Sequence, residues 1–113
     1  NRGVTCYNQR NFAEAVKYFR QAAERDYADA QYNLGLCYLY GNGITKDYTK
    51  AVEWYRKAAE QGDAIAQCNL GYCYYNGYGV TQDYNKAVEW YRKAARQGET
   101  TAQNNLRYLG ESW

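Results

Sequence analysis

Apolar residues recur along this chain at the spacing of helices. Phe12, Ala15, Val16, Phe19, Ala22 and Ala23 form one stripe of a helix that starts after Asn11, a suitable N-cap. Asp26–Ala28 is a short break. Ala30, Leu34, Cys37 and Tyr38 then share a face of a helix over Ala28–Tyr40. Gly41-Asn42-Gly43 ends it, because glycine accepts the left-handed backbone that closes helices. Asp47 caps the next helix, whose buried stripe is Tyr48, Ala51, Val52, Tyr55, Ala58 and Ala59 and whose end is Gly62. Glu53 and Lys57 stand i,i+4 apart in the favoured order and belong on the wet face of that helix.

The pattern then returns. Asp47–Gly62 is repeated almost letter for letter at Asp83–Gly98, and a worn copy stands at Asn11–Asp26. The offset is 36 residues, and Tyr27–Gly62 agrees with Asp63–Gly98 at 25 of 36 positions. A fixed period in this range is the signature of a stacked array. The pattern predicts about seven helices, from a partial one within Asn1–Gln9, which holds Gly3, Cys6 and Tyr7, to a last one from Thr100 to Leu109. Short loops make chain neighbours antiparallel neighbours. Each pair leaves an apolar face that only the next pair covers, so stacking yields a superhelix with a concave and a convex side.

The expected fold is therefore all-α, a right-handed α-solenoid of antiparallel helix pairs in one domain. Its divisions are a partial unit at 1–26, repeats at 27–62 and 63–98, and a capping helix in 99–113. In each unit the helix like Ala28–Tyr40 is an A helix and the Asp-capped one a B helix.

The spaced residues resemble the SEL1-like repeat, a relative of the tetratricopeptide repeat. They are Ala30-Gln31-Tyr32-Asn33-Leu34-Gly35, Tyr38, Gly41, Gly43-Ile44, Asp47, Lys50-Ala51, Trp54-Tyr55, Lys57-Ala58-Ala59 and Gln61-Gly62. The set recurs over Ala66–Gly98, and Ala102-Gln103-Asn104-Asn105-Leu106 starts another unit. Two departures stand out. Gly3 to Ala15 is 12 residues where Gly35 to Ala51 is 16, so the first unit looks like a plain tetratricopeptide repeat. Arg107 replaces the glycine of Gly35 and Gly71, which suits a solvent-facing terminal helix. The resemblance implies a protein–protein interaction scaffold without catalytic activity, holding a peptide in a concave groove lined by A helices.

Composition narrows the chemistry. Histidine, methionine and proline are absent and tyrosine is abundant, at 15 residues. Without histidine the commonest general base and metal ligand is missing. No methionine means that residue 1 is not an initiator, so the chain is read as processed or as a piece of a longer one. No run is apolar enough to span a bilayer. The net charge of +2 shows no concentrated basic excess of the kind nucleic-acid binders carry. Neither membrane nor nucleic acid is expected as partner, and no cofactor, metal or catalytic residue is assigned.

The four cysteines read as reduced structural thiols. Cys37 and Cys73 are repeat-equivalent on the core face. Cys68 and Cys73 diverge by about 140° around a helix, and no C-x-x-C accompanies them. Cysteine-rich members of the resembled family bridge positions that here are Ala58, Ala59 and Gln67, so those bridges do not carry over. Cys68 is expected to be the most exposed. A reducing, cytoplasmic setting would keep such thiols. The Gly-x-Gly turns lack the strand and the further residues of a phosphate loop.

What remains is the A-helix face opposite the core. By register it should show Tyr32, Asn33, Leu36 and Tyr40, then Cys68, Asn69, Tyr72 and Asn76, then Asn104, Asn105 and Tyr108. Asn33, Asn69 and Asn105 hold one position in three units. Each amide can donate to and accept from a peptide backbone, and tyrosine adds rigid contact area with a polar tip. The competing reading is that the asparagines satisfy neighbouring backbone and the tyrosines pack. Tyr38, Tyr55, Tyr74 and Tyr91 belong to the core, with Trp54 and Trp90 between helix pairs. A protein or peptide is the expected partner; self-association through the tyrosine-rich face and an RNA-binding helical repeat are the alternatives.

Overall fold

Two B helices begin where an aspartate folds back on its own first turn. The side chains of Asp47 and Asp83 accept from the backbone N–H of Lys50 and Lys86 at 3.1 Å. Two A helices use the same device: Asp63 accepts from Ala66 N–H and Glu99 from Ala102 N–H. The exits use left-handed backbone at Gly41 and Gly77, which directly follow two of the A helices. The computed structural model describes residues 12–113, so the readings of Asn1–Gln9, including Gly3, Cys6 and Tyr7, and of Asn11 lie outside the described residues. Within them the elements are α1 (Phe12–Glu24), α2 (Ala28–Tyr40), α3 (Tyr48–Glu60), α4 (Ala64–Asn76), α5 (Tyr84–Arg96) and α6 (Thr100–Tyr108).

Every helix packs on its chain neighbours, as a right-handed solenoid of antiparallel pairs requires. One core runs through the stack. Ala15, Val16, Phe19 and Ala23 of α1 are followed by the predicted stripes of α3 and α5, from Ala51 to Ala59 and Ala87 to Ala95. Tyr38, Tyr55, Tyr74 and Tyr91 are all buried. Full burial of a side chain of this size contributes roughly 1.5–3 kcal/mol.

Two glycine positions set the spacing. A Cβ on Gly35 would lie 2.7 Å from the Tyr55 ring, and one on Gly71 would lie 2.9 Å from the Tyr91 ring. Only glycine lets the A helix approach its B partner so closely. Gly43 and Gly79, both left-handed, sit against the backbone at Phe12 and at Tyr48. Each Gly-x-Gly loop thus rests on the start of the B helix one unit earlier.

A ladder of glutamines ties the units together. Gln31, Gln67 and Gln103 donate through Nε2 to the carbonyls of Ala23, Ala59 and Ala95 at 3.2, 3.1 and 3.0 Å. Gln61 and Gln97 then donate to Oε1 of Gln31 and Gln67 at 2.8 and 2.9 Å. Asp26 joins the first rung. It holds a left-handed backbone with φ 71°, and its Oδ1 accepts from Gln31 at 3.0 Å.

The predicted i,i+4 ion pairs are corrected. Among the described residues, Glu53 and Glu89 do not close on Lys57 and Lys93. The two ammonium groups instead stand 5.7 Å over the Trp54 ring and 4.7 Å over the Trp90 ring. Half-buried indoles offer a dense, partly desolvated π-face, while an exposed carboxylate gains little from a surface ion pair. Arg107, at the register of Gly35 and Gly71, is exposed, and its guanidinium lies 5.3 Å over the Trp113 ring.

Candidate peptide-binding face

The A helices α2, α4 and α6 place Asn33, Asn69 and Asn105 at one register, and the residue beneath each decides what it does. Those residues come from the preceding B helices: Phe19, Tyr55 and Tyr91. Asn69 lies against the hydroxyls of Tyr55 and Tyr32, and Asn105 against that of Tyr91. Phe19 has no hydroxyl, and Asn33 turns back to donate to Asp29 O at 2.9 Å on its own helix. Asn76 does the same toward Tyr72 O at 2.9 Å, and Asn104 accepts from Arg107 at 3.1 Å.

Burial raises the pKa of the Tyr32 hydroxyl, and the nearby Asn69 amide partly offsets it. Tyr55 and Tyr91 are driven further up by burial. The Tyr55 hydroxyl is fully enclosed, and Asn69 approaches without meeting hydrogen-bond geometry, so that oxygen has no hydrogen-bond partner. All three phenols stay neutral donors at physiological pH.

The tyrosine part of the face is open. Tyr40 is 64% exposed, Tyr72 44% and Tyr108 88%, while Leu36 and Tyr32 are half-buried. Asn76 and Asn104 are exposed. Cys68 requires a correction: it is buried, 4% exposed, against Glu99 at the start of α6. Tyr32 and Cys68 share a register position with Asn104, and each of the first two faces the N-cap of the following A helix. Tyr32 meets Asp63 there, and its large ring protrudes. The cysteine is small enough to be covered, so Cys68 leaves the set of contact residues. Its thiol is pushed up to about 12, by burial first and Glu99 second. Cys37, Cys68 and Cys73 are free thiols in the interior.

Tyr72, Tyr75, Asn76, Tyr91, Asn105, Tyr108 and Leu109 line a cleft of about 190 Å³ between α4 and α6; four of these were expected on the face, and Tyr75, Tyr91 and Leu109 were not. Beside it the Tyr48 and Tyr78 rings stack at 4.8 Å, and Tyr72 meets Tyr78 edge-on at 5.8 Å. Lys46 stands 4.9 Å over Tyr48. The signal available for Tyr78 was its substitution for Asn42 inside the Gly-x-Gly turn. A larger cleft, about 340 Å³ between α1 and α2, holds only Asn33 of the predicted residues. Among the described residues no three His, Cys, Asp or Glu gather as metal ligands, and no helix is long and apolar enough to cross a membrane.

A stack of antiparallel helix pairs with this face is a repeat-solenoid protein. The Sel1 repeat family model matches residues 28–63 and 64–99, and the tetratricopeptide repeat model matches residues 1–27. The chain belongs to the Sel1 repeat family. It is similar to a solved Sel1 repeat protein from Oxalobacter formigenes, with TM-score 0.90 and 37% identity over 95% of this chain and 44% of that one. A protective antigen of uropathogenic Escherichia coli strains displaying an SLR fold gives TM-score 0.84 and 45% identity over 86% of this chain and 21% of that one. Helicobacter pylori cysteine rich protein B gives TM-score 0.77 and 32% identity, covering 82% of this chain and 70% of that one. DAP3-binding cell death enhancer 1 of rat and of mouse is 46% identical over 37 residues, 33% of this chain and 7% of each relative. The chain thus spans a small part of the curated relatives that it matches. Sel1 and tetratricopeptide-like repeats generally mediate protein–protein interaction and are typically non-catalytic.

Proposed function

We propose that this chain is a binding module that holds a peptide or a loop of another protein across the A helices, with no catalytic role. The carrying observation is that exposed Tyr72 and Tyr108 line one cleft together with Tyr91 and Asn105, with exposed Tyr40 on the preceding A helix. Rigid amphipathic rings give contact area at small entropic cost. The contact set is Tyr32, Asn33, Leu36, Tyr40, Asn69, Tyr72, Asn76, Asn104, Asn105 and Tyr108. Asn69 lies beside the hydroxyl of Tyr32 and Asn105 beside that of Tyr91.

Peptides selected on the immobilised chain from an unbiased random library supply the test. Tyr72→Ala combined with Tyr108→Ala should weaken them at least about tenfold, as loss of aromatic anchors does, with helicity unchanged. Undiminished binding would show that the groove is not the site.

A further inference from the structure

The α5–α6 pair departs from the two pairs before it, and three of its departures meet at one place. Arg20 and Arg56 each donate to a tyrosine hydroxyl of the following A helix, Tyr38 at 3.4 Å and Tyr74 at 2.8 Å. Arg92 holds the same register, but Gly110 stands where that tyrosine would be. Arg96 replaces the glutamate of Glu24 and Glu60, and Arg107 the glycine of Gly35 and Gly71. α6 is also shorter, with 9 residues against 13 in α2 and α4, and the chain turns back from it toward α5.

Residues 111–113 lie across these side chains. The Glu111 carboxylate accepts from Arg92 at 2.9 Å and from the Tyr84 hydroxyl at 3.1 Å. Arg92 Nε donates to Ser112 O at 2.8 Å and Arg96 Nε to Trp113 O at 3.1 Å. The Arg107 guanidinium stands 5.3 Å over the Trp113 ring. The arrangement reads a carboxylate, two main-chain carbonyls and an indole, and takes only the carbonyl of the residue between. The hold is exchangeable. Arg92 and Glu111 keep 35% and 30% of their side-chain surface in water, and exposed pairs bind weakly. Gly110, left-handed with φ 75°, joins the segment to α6 through a turn with open space at its Cα.

We propose that Tyr84, Arg92, Arg96 and Arg107 form a second docking site, for a Glu-x-Trp segment of a partner protein, which residues 111–113 fill in cis until that segment displaces them. None of the four lines the cleft between α4 and α6, so the site is independent of the groove. The occupant is fixed by what already sits there. An arginine fork pairs with a carboxylate more firmly than with any neutral group. A guanidinium over a ring favours the indole among aromatic side chains. A basic segment would meet three guanidinium groups and be repelled.

The test titrates labelled acetyl-Leu-Gly-Glu-Ser-Trp onto the parent chain and onto Glu111→Ala combined with Trp113→Ala, which releases the cis segment. The released chain should bind the peptide at least about fivefold more tightly than the parent, whose own segment competes at high effective concentration. Adding Arg92→Ala or Arg96→Ala to the released chain should weaken binding at least about tenfold. Peptides with lysine for the glutamate or alanine for the tryptophan should bind at least about tenfold more weakly. Circular dichroism checks that every variant stays folded. If the released chain does not bind the peptide, or binds it equally well without Arg92 and Arg96, residues 111–113 only cover the helix pair and the proposal falls. Equal binding by parent and released chain would show that the cis segment does not occupy the site. Parent chains that pair on concentration and separate in Trp113→Ala would make a second copy the occupant and overturn the assignment to a partner protein.

Discussion

Gly35→Ala puts a methyl carbon 2.7 Å from Tyr55 Cε1, 2.8 Å from Cδ1 and 3.2 Å from the Ala51 carbonyl. Tyr55 is fully buried, so its ring has nowhere to swing, and the other neighbour is backbone. Overpacking costs about 1–3 kcal/mol, and two contacts under 3.0 Å to a ring that cannot swing place this one in the upper part of that range, about 2–3 kcal/mol. Replacing glycine by alanine in a helix returns about 1 kcal/mol. The net expectation is a loss of about 1–2 kcal/mol, or roughly 4–8 °C in Tm for a chain of this size. Urea unfolding followed by circular dichroism reads it as a lower midpoint at unchanged slope. Arg107→Ala is the internal control: the register is the same, the side chain is exposed, and the change should stay within about 0.5 kcal/mol. Combining Gly35→Ala with Tyr55→Leu should cost less than the sum of the two, because the clash is shared. A Gly35→Ala protein at least as stable as the parent would refute the close-approach explanation of these glycines.

Other expectations follow from the same contacts. Gln67→Ala strips a partner from both the Ala59 carbonyl and Gln97, and should cost about 1–3 kcal/mol in urea melts. Asp83→Ala removes the cap of α5 and should cost about 1 kcal/mol, visible as a lower midpoint. Burial pushes Cys37 up to about 11, and Cys68 and Cys73 up to about 12, from 9.0. The folded state therefore holds protons that the unfolded chain has released. Stability should be flat below pH 9 and fall between about 9 and 12; a rise over that window in urea midpoints would contradict the burial of these thiols. Tyr72→Ala with Tyr108→Ala should leave Tm within about 2 °C, since both rings are exposed.

The period and the caps were legible because they are local. Asp47 capping the backbone at Lys50, and Gly41 closing a helix, need only the residues beside them. The core stripes were legible from helical spacing, down to the burial of Tyr55 and Tyr91. Contacts between units were not. The glutamine ladder between units went unread, because Gln31, Gln67 and Gln103 meet carbonyls at the ends of the preceding B helices. Asn33 differs from Asn69 for want of one hydroxyl on a helix outside its own unit. Cys68 was misplaced for the same reason: its cover is Glu99, supplied by the next unit. Glu53 and Lys57 have ideal spacing, yet the ammonium group stands over the Trp54 ring, which offers a drier surface.

The most direct test is a chemical-shift map of the chain titrated with a selected peptide. Binding across the A helices predicts that the side-chain amides of Asn69, Asn76 and Asn105 and the rings of Tyr72 and Tyr108 move together, while the outward residues Glu53 and Glu89 stay still. Shifts concentrated on α3 and α5, with Asn105 and Tyr108 unmoved at saturation, would contradict it.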